Sequence, residues 1–293
     1  MKRVLVFGGS GQLGTALRSS STQQYQLISP GSRELPLERV DTLRPFIEQA
    51  APHVIINAAA YTRVDDAEGD RDRAFMINAV APETMAATAR ALGARFIHVS
   101  TDYVFDGIGA MPYAPSATPN PLNVYGASKL AGEVAVARAY PASAIVRTAW
   151  VHAGTGTNFV GTAVRALSAG KSMRVVDDQV GAPTRAMNLA RAILLIAEQP
   201  TVGGILHFTD AGVASWYDVA CCVLDTLRQL DRLPAGVGVE PVDSLDFPRP
   251  AKRPRVSILD THSSRAVIGW TPPHWRDGVI ASTHEWIGGL THA

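Results

Sequence analysis

The stretch Lys2-Arg3-Val4-Leu5-Val6-Phe7-Gly8-Gly9-Ser10-Gly11-Gln12-Leu13-Gly14 decides the fold of this chain of 293 residues. Its first six residues form a β-rich run, and four glycines follow within the next seven positions. Helix-compatible residues continue from 15 to 19. A strand, a glycine turn and a helix in this order predict the first unit of a dinucleotide-binding fold. The alternative is a glycine-rich turn that binds no ligand.

Three of these glycines have distinct expected roles. Gly8 allows the tight turn, Gly11 lets backbone amides approach a pyrophosphate, and Gly14 lets the helix pack close to the strand. The phosphate would lie on the amino terminus of that helix. The first two glycines are one residue further apart here than in the G-x-G-x-x-G pattern. Because the turn directly follows a strand, the nucleotide-binding interpretation is favoured.

Composition excludes several other classes of protein. The chain is 46% hydrophobic and 18% charged with a formal net charge of +1. Near neutrality argues against nucleic acid as a partner. No apolar run approaches the roughly 18 residues of a membrane span, which argues against a membrane partner. The first apolar run is too short for a signal peptide, so we expect a cytoplasmic protein.

Further apolar runs alternate with helical patterns along the chain. We predict strands at 25–29, 52–57, 94–99, 144–150 and 204–208, and helices at 40–50, 74–93, 187–198 and 216–230. Continuous apolar strands between helices imply a parallel sheet covered on both faces. The expected fold is α/β, a Rossmann-type doubly wound parallel sheet with a smaller α/β substrate-binding domain. Residues 1–149, with returning segments around 171–210, would bind the dinucleotide, and 150–293 mainly the substrate.

The end of the second strand bears on the choice of cofactor. A carboxylate there usually accepts hydrogen bonds from the adenosine ribose, but this chain has Pro30-Gly31-Ser32-Arg33. Ser32 and Arg33 could bind a 2′-phosphate instead. We therefore expect NADPH to be accepted and preferred, with NADH as the other option. The alternative is that Arg33 is simply solvated.

Three side chains suggest proton transfer beside this nucleotide fold. Tyr125 and Lys129 are four residues apart in a helix-forming run and would share one face. An ammonium near a phenol favours the phenolate and lowers the pKa of the tyrosine. Thr101 follows the fourth predicted strand, where ligands of parallel sheets bind. The pair alone is more often a solvated surface pair, but its position past Thr101 favours a catalytic role.

Several motifs together resemble those of the extended short-chain dehydrogenases/reductases, and within them the dTDP-4-dehydrorhamnose reductase family. Asp-Tyr-Val-Phe-Asp-Gly and Asp-Gln-x-Gly-x-Pro-Thr are fairly specific to that family, whereas the glycine turn and Tyr-x-x-x-Lys belong to the whole superfamily. The resemblance covers nearly the whole chain. Its motifs are GGSGQLG at 8–14, NAAAYTRVDDAE at 57–68, STDYVFDG at 100–107, PLNVYGASKLAGE at 121–133, RTAWVHA at 147–153 and DQVGAPT at 178–184.

The resemblance implies NADPH-dependent reduction of the C4 ketone of dTDP-4-dehydro-L-rhamnose. Tyr125 would protonate the C4 oxygen, Thr101 would hydrogen-bond it, and Lys129 would bind the nicotinamide ribose and lower the pKa of Tyr125. The expected cofactor site comprises Gly8, Gly11, Gln12, Leu13, Gly14, Ser32, Arg33, Leu37, Ala58, Ala59, Ala60, Tyr125 and Lys129. The expected substrate site comprises Asp102, Tyr103, Trp150, Asn158, Gln179 and Arg253.

Alternatives remain open for individual residues and for the function. Trp150 could be a core tryptophan rather than a sugar platform, and Arg253 could be solvated rather than bind the diphosphate. Asn78 could be a structural helix residue or part of a proton relay. The protein could reduce another 4-keto nucleotide sugar. It could also be a non-catalytic NADP-binding regulatory subunit, like the β subunit of methionine adenosyltransferase.

Other polar and charged residues have structural roles by default. Asp65, Asp66 and Glu68 suit a helix amino terminus, where carboxylates cap free amides. His152 and His207 do not pair into a metal site. The only cysteines are adjacent in a helical pattern, so we expect neither a disulfide nor a metal site there.

One departure from the family concerns the subunit contact. Some members carry two glutamates that hold a magnesium ion between subunits. Ala16 and Met187 stand at the corresponding positions here and offer no oxygen ligand. We therefore expect a monomer or a homodimer that is not linked by metal.

Overall fold

The computed structural model describes residues 1–20 and 24–290, and its elements follow the predicted α/β order. The strands are β1 Lys2–Phe7, β2 Tyr25–Ile28, β3 Val54–Asn57, β4 Arg95–Thr101, β5 Ala144–Thr148, β6 Val151–His152, β7 Met173–Val176, β8 Val180–Gly181, β9 Thr184–Arg185, β10 Gly204–His207, β11 Ala214–Ser215 and β12 Val239–Val242. The helices are α1 Gln12–Ser20, α2 Val40–Ala50, α3 Val64–Ala67, α4 Arg71–Phe75, α5 Ala81–Ala91, α6 Val124–Ala139, α7 Phe159–Ser168, α8 Ala186–Ala197, α9 Trp216–Gln229, α10 His262–Ile268 and α11 Trp275–Leu290.

Six strands form one parallel sheet in the order β10-β5-β4-β3-β1-β2. The chain starts in β1, adds β2 on one side and then continues from β3 on the other. The direction of winding therefore reverses between β1 and β3, and ligands of such sheets bind at the carboxyl ends next to that point. The predicted Rossmann-type fold is confirmed.

Both faces of the sheet are buried, as its uninterrupted apolar strands require. Val4 and Val6 of β1 pack in one core cluster with residues of α1 and α8. Leu5 and Phe7 point to the opposite face and pack in a second cluster with residues of α2 and α5. Alternating residues of one strand thus hold two layers of helices.

The later part of the chain forms a smaller layer and also contributes to the main sheet. Apolar residues of α7, α9 and α11 share a separate core cluster. The short strands pair as β11-β8, β12-β7 and β6-β9. Strand β10 joins the edge of the main sheet beside β5, as expected for 204–208. No helix within 1–20 and 24–290 is long and apolar enough to cross a membrane.

The predicted helix over 74–93 is interrupted by a π-helical turn, Met76–Val80, between α4 and α5. Asn78 in this turn donates from Nδ2 to Ser128 Oγ at 2.9 Å, and it bonds to both backbone groups of Tyr61. A Cβ at Gly132 would lie 2.0 Å from the carbonyl oxygen of Asn78, so α6 packs directly on the turn. These contacts support the structural interpretation of Asn78.

The capping interpretation of the acidic residues near α3 is wrong for two of them. Asp65 accepts hydrogen bonds from Ala251 N and Arg253 Nη2, far along the chain. Glu68 accepts from Val124 N at 2.8 Å, so it caps the start of α6 rather than its own helix. Sequence-local reasoning failed here because both carboxylates have nonlocal partners.

Candidate active site

A cavity of about 920 Å³ opens at the carboxyl ends of the strands. It extends from the glycine turn past the ends of β3, β4 and β5 to the first residues of α9. This is the location that the winding of the sheet predicts for a ligand. Of the residues expected in the site, those that line the cavity are Gly8, Gly11, Gln12, Leu13, Ser32, Leu37, Ala58, Ala59, Ala60, Thr101, Asp102, Tyr103, Tyr125, Lys129 and Trp150.

The glycine turn forms a cradle that side chains would fill. A Cβ at Gly8, whose φ is +81°, would lie 2.7 Å from Ala59 N. A Cβ at Gly14 would lie 2.3 Å from Gly8 O, so Gly14 serves close packing under the turn rather than lining the cavity. The first turn of α1 follows directly, with free backbone amides suited to a pyrophosphate.

Two buried hydroxyls in the cavity wall have no hydrogen-bond partner among the residues that the structure describes. Ser100 Oγ and Thr148 Oγ1 are on the adjacent strands β4 and β5, and each residue is at most 5% exposed. Buried hydroxyls are normally hydrogen-bonded. Together with the glycine cradle, these unpaired donors fit a dinucleotide with polar groups along its length.

The far end of the cavity only partly matches the expected adenosine site. Ser32, Leu37 and Ala58 line it, but Arg33 is exposed on the turn after β2 and does not. The cation that does line this end is Arg73, which is paired with Glu38 at 2.9 Å. Sequence reasoning missed this pair because its members are 35 residues apart.

Tyr125 and Thr101 both line the wall of the cavity, and the Thr101 hydroxyl is near enough to the phenol of Tyr125 to favour its ionised form. Thr101 Oγ1 also donates to Asp102 Oδ1 at 3.0 Å. The other carboxylate oxygen of Asp102 accepts from Ser257 Oγ at 2.6 Å. Burial raises the pKa of Asp102 to about 6. Asp102 therefore holds Thr101 in place, and both its oxygens already have protein partners.

Lys129 is buried on the same helix, one turn after Tyr125. Its Nζ donates to Val99 O at 2.7 Å and lies 3.3 Å from His98 Nε2. Burial lowers the pKa of Lys129 to about 8, while Glu133 opposes that shift. His98, which sequence reasoning missed, is fully buried and contacts Asn57 through Nδ1 at 3.0 Å.

The expected lowering of the pKa of Tyr125 by Lys129 is not observed. Desolvation raises the pKa of Tyr125 to about 12, and the nearby Thr101 hydroxyl only partly offsets the effect. Desolvation disfavours the phenolate more than nearby donors favour it. Tyr125 is therefore a phenol at neutral pH, which is the protonation state of a proton donor.

Trp150 stacks on Trp216 at the substrate end of the cavity. The two ring centroids are 3.7 Å apart and nearly parallel, and both residues line the cavity. A Cβ at Gly181 would lie 2.6 Å from Trp150 Cε2, so this glycine of the DQVGAPT loop lets the indole approach. Sequence reasoning missed Trp216, which begins a helix 66 positions after Trp150 without any local motif.

Three expected substrate residues lie outside the cavity wall. Asn158 caps α7 through Gly161 N and donates to Gln12 Oε1 at 2.9 Å, which uses both ends of its amide. Gln179 is half-buried in the loop before β8. Arg253 pairs with Asp65, with 2.9 Å between Nη2 and Oδ2. The structure does not bring these three side chains together with Tyr125.

The two histidines considered as structural are both buried among protein partners. His152 Nδ1 contacts Ser282 Oγ at 3.0 Å, and His207 Nδ1 contacts Asp260 O at 3.2 Å. Burial lowers the pKa of His152 to about 3 and that of His207 to about 4. Both rings are neutral at physiological pH.

Comparisons with known proteins agree with this geometry. The model of the family described as RmlD substrate binding domain matches residues 1–286. The chain is 37% identical over 287 residues to a dTDP-4-dehydrorhamnose reductase of Burkholderia thailandensis, covering 94% of this chain and 96% of the relative. It is 36% identical to a probable dTDP-4,6-dihydroxy-2-methyloxan-3-one 4-ketoreductase of Streptomyces antibioticus, covering 99% and 94%.

A solved structure extends the similarity to the fold. The crystal structure of dTDP-4-dehydrorhamnose reductase from Bacillus anthracis in complex with NADP superimposes with a TM-score of 0.88 at 33% identity, covering 95% of this chain and 97% of that one. With its motifs gathered around one cavity and these matches over nearly its whole length, the chain belongs to the RmlD substrate-binding-domain family, that of the dTDP-4-dehydrorhamnose reductases.

Proposed function

We propose that the protein is an NADPH-dependent oxidoreductase that reduces the C4 ketone of dTDP-4-dehydro-β-L-rhamnose to give dTDP-L-rhamnose. The observation that carries this proposal is that Thr101, Tyr125 and Lys129 line one wall of a cavity that begins at the glycine turn. The nicotinamide supplies the hydride that reduces the ketone. The protein has to place the ketone, polarise its oxygen and deliver one proton.

Tyr125 is the proton donor in this proposal. Ketone reduction needs an acid that is protonated at neutral pH, and burial keeps Tyr125 as a phenol. Thr101, oriented by Asp102, offers a second polar contact to the same oxygen. Lys129 places a cation or an amine one helical turn away, where it can bind a ribose hydroxyl and stabilise the phenolate left after proton transfer.

Recognition of the two ligands follows the shape of the cavity. The backbone of the glycine turn and the orphan hydroxyls of Ser100 and Thr148 would hold the cofactor. The stacked pair Trp150 and Trp216 offers an apolar face at the other end, suited to the deoxysugar. We assign NADPH as the preferred cofactor, with NADH as a second substrate.

A second candidate substrate is the 4-keto nucleotide sugar of another pathway. The relative from Streptomyces antibioticus, almost as similar as the rhamnose reductases, is named as a 4-ketoreductase of a different dTDP-sugar. Both candidates present a C4 ketone on a dTDP-linked deoxysugar and would use the same proton donor. They differ in the sugar substituents that meet the tryptophan pair.

The test is NADPH oxidation with each dTDP-4-keto sugar, measured for the wild type, Tyr125→Phe, Thr101→Val and Thr101→Ser. We expect Tyr125→Phe to lose activity by about 10²–10⁴-fold, as for removal of a positioned acid. Thr101→Val should lose activity, while Thr101→Ser keeps the hydroxyl and most of the rate. Equal inertness of the wild type and Tyr125→Phe with both sugars would instead favour a non-catalytic NADP-binding regulatory subunit.

We also place the protein in the cytoplasm. A reductase of this kind needs both the nicotinamide cofactor and the sugar nucleotide in the same compartment. A subunit arrangement without a metal link is part of the proposal as well. Ala16 is buried and Met187 is half-buried, and neither side chain offers the oxygen ligand that a magnesium ion needs.

A further inference from the structure

The buried side chains Asn57, His98 and Lys129 form a chain of contacts behind the catalytic tyrosine. All three are at most 2% exposed. Asn57 Nδ2 lies 3.0 Å from His98 Nδ1, and His98 Nε2 lies 3.3 Å from Lys129 Nζ. Neither Asn57 nor His98 lines the cavity. His98 therefore reaches the cavity through its contact with Lys129, whereas Asn57 contacts both His98 and the backbone of Ala59, which lines the cavity.

The backbone fixes which end of the Asn57 amide faces the histidine. Asn57 Oδ1 accepts a hydrogen bond from Ala59 N at 3.1 Å, so the amide nitrogen points to His98. An amide nitrogen only donates, which means that His98 Nδ1 accepts and carries no proton. A neutral imidazole has one N–H, so the proton is on Nε2. Burial keeps the pKa of His98 well below its usual value, so the ring is neutral.

The Nε2–H of His98 then points at Lys129 Nζ. An ammonium has three donors and no lone pair, so it cannot accept this N–H, whereas the neutral amine can. The groups that favour the ammonium are the carbonyl of Val99, at 2.7 Å, and the carboxylate of Glu133 on the same helix. Tyr125, one turn away, is an uncharged phenol at neutral pH.

We propose that His98 is a positioning residue for Lys129: Asn57 fixes its tautomer, and its Nε2–H favours the neutral amine of Lys129 over the ammonium. Lys129 thus has two opposing contacts. The carbonyl of Val99 favours its ammonium form, and the Nε2–H of His98 favours its neutral amine. The consequence for catalysis rests on the proposed function, because a labile proton on Lys129 matters only if Tyr125 reacts. The contact itself does not depend on which reaction the protein performs.

The first test requires neither a substrate nor an activity measurement. A long-range ¹H–¹⁵N correlation spectrum of the full chain with ¹⁵N-labelled histidine reports which ring nitrogen is protonated, and His98→Phe identifies the signal of His98 among the eight histidines. We expect a proton on Nε2 and none on Nδ1 at neutral pH. A proton on Nδ1, or on both nitrogens, would overturn the proposal.

The second test reverses the tautomer. In Asn57→Asp the carboxylate can still accept from Ala59 N, but its other oxygen accepts from His98 Nδ1–H. His98 Nε2 then becomes an acceptor for the ammonium. We expect Lys129 to bind its proton at least tenfold more tightly, as measured by titration of its ¹⁵Nζ signal. The alkaline limb of the pH profile of kcat/KM should move to higher pH as well.

A matched double variant separates the tautomer from the added charge. Asn57→Asp combined with His98→Phe keeps the new carboxylate but has no imidazole whose tautomer could change. Comparing the pKa of Lys129 in this double variant with that in His98→Phe gives the effect of the added charge alone. A larger shift in the presence of His98 supports the proposal. An equal shift in both backgrounds would assign the effect to charge and reject the role of His98, whether or not the protein reduces a nucleotide sugar.

Discussion

Arg253 and Asp65 form a half-buried ion pair across 188 residues of sequence, with 2.9 Å between Nη2 and Oδ2. Ala251 N donates to the same carboxylate, so the pair fastens the loop around 251–253 to α3. The positive charge of Arg253 opposes the rise that burial causes in the pKa of Tyr103, a residue of the cavity wall, so the two side chains are close. The arginine is thus close to the cavity but already has an anionic partner.

The first prediction concerns the role of Arg253 in binding the sugar nucleotide. If its guanidinium also reaches the diphosphate, Arg253→Ala should raise KM for the dTDP-sugar by about tenfold, the loss expected for one charge-assisted hydrogen bond. The KM for NADPH should stay unchanged. Asp65→Asn is the matched control, because it removes the ion pair and keeps the arginine. An unchanged KM in Arg253→Ala would leave the residue with the loop-fastening role only.

The second prediction concerns the choice between NADPH and NADH. Ser32 lines the cavity and Arg33 lies beside it on an exposed turn, where its side chain could swing to a 2′-phosphate. Arg33→Ala should raise KM for NADPH about fivefold and leave KM for NADH unchanged, because only NADPH has the extra charge. Arg39→Ala, at an exposed arginine outside the cavity wall, serves as control. A clear preference of the wild type for NADH would contradict this assignment.

The third prediction concerns the glycine turn. Gly8→Ala places a Cβ within 2.8 Å of the backbone of Ala58 and Ala59 at a φ of +81°, so the strain should lower the free energy of unfolding by about 1–3 kcal/mol and weaken NADPH binding. Gly31→Ala meets no atom of the described residues within 4 Å and should change stability by less than about 0.5 kcal/mol. Urea unfolding and cofactor titration measure both effects. Equal behaviour of the two variants would show that the turn can relax.

The fourth prediction uses the raised pKa of Asp102, which burial moves from 3.8 to about 6. Between these pH values Asp102 binds its proton more tightly in the folded state than in the unfolded state. The free energy of unfolding of the wild type therefore falls as the pH rises. Asn cannot ionise, so Asp102→Asn should gain stability relative to the wild type by up to about 3 kcal/mol between pH 4 and pH 7. The lowered pKa values of His152 and His207 act in both proteins and cancel in the difference.

Urea unfolding of the wild type and Asp102→Asn across this pH range provides the measurement. A difference that stays constant with pH would mean that Asp102 titrates normally, despite being only 1% exposed. The activity of Asp102→Asn at a single pH should be measured as well. In this variant Thr101 loses its carboxylate partner but can still donate to the amide oxygen of asparagine.

The fifth prediction concerns metal-linked association. Ala16 and Met187 offer no oxygen, so the elution volume in gel filtration should be the same with magnesium and with a chelator. NADPH oxidation should be equally insensitive to the chelator. A dimer that dissociates on chelation would contradict the prediction and point to ligands other than these two positions.

The sequence alone determined the architecture and the centre of the site. The glycine turn after β1 and the apolar strands predicted the parallel sheet, because buried strands and tight turns leave local signals. Helical spacing placed Tyr125 and Lys129 on one face, and the strand end placed Thr101 opposite them. These features depend on neighbours in sequence, which is why they were predictable.

Only the tertiary structure decided the environment of those residues. It placed Tyr125 half-buried in the cavity wall, where desolvation raises its pKa, although the sequence led us to expect the opposite. It set His98 behind Lys129, stacked Trp216 on Trp150 and engaged Arg253 with Asp65. Desolvation and partner choice depend on groups from distant elements that meet only after folding. No local pattern encodes them, and they determine how the catalytic groups are charged.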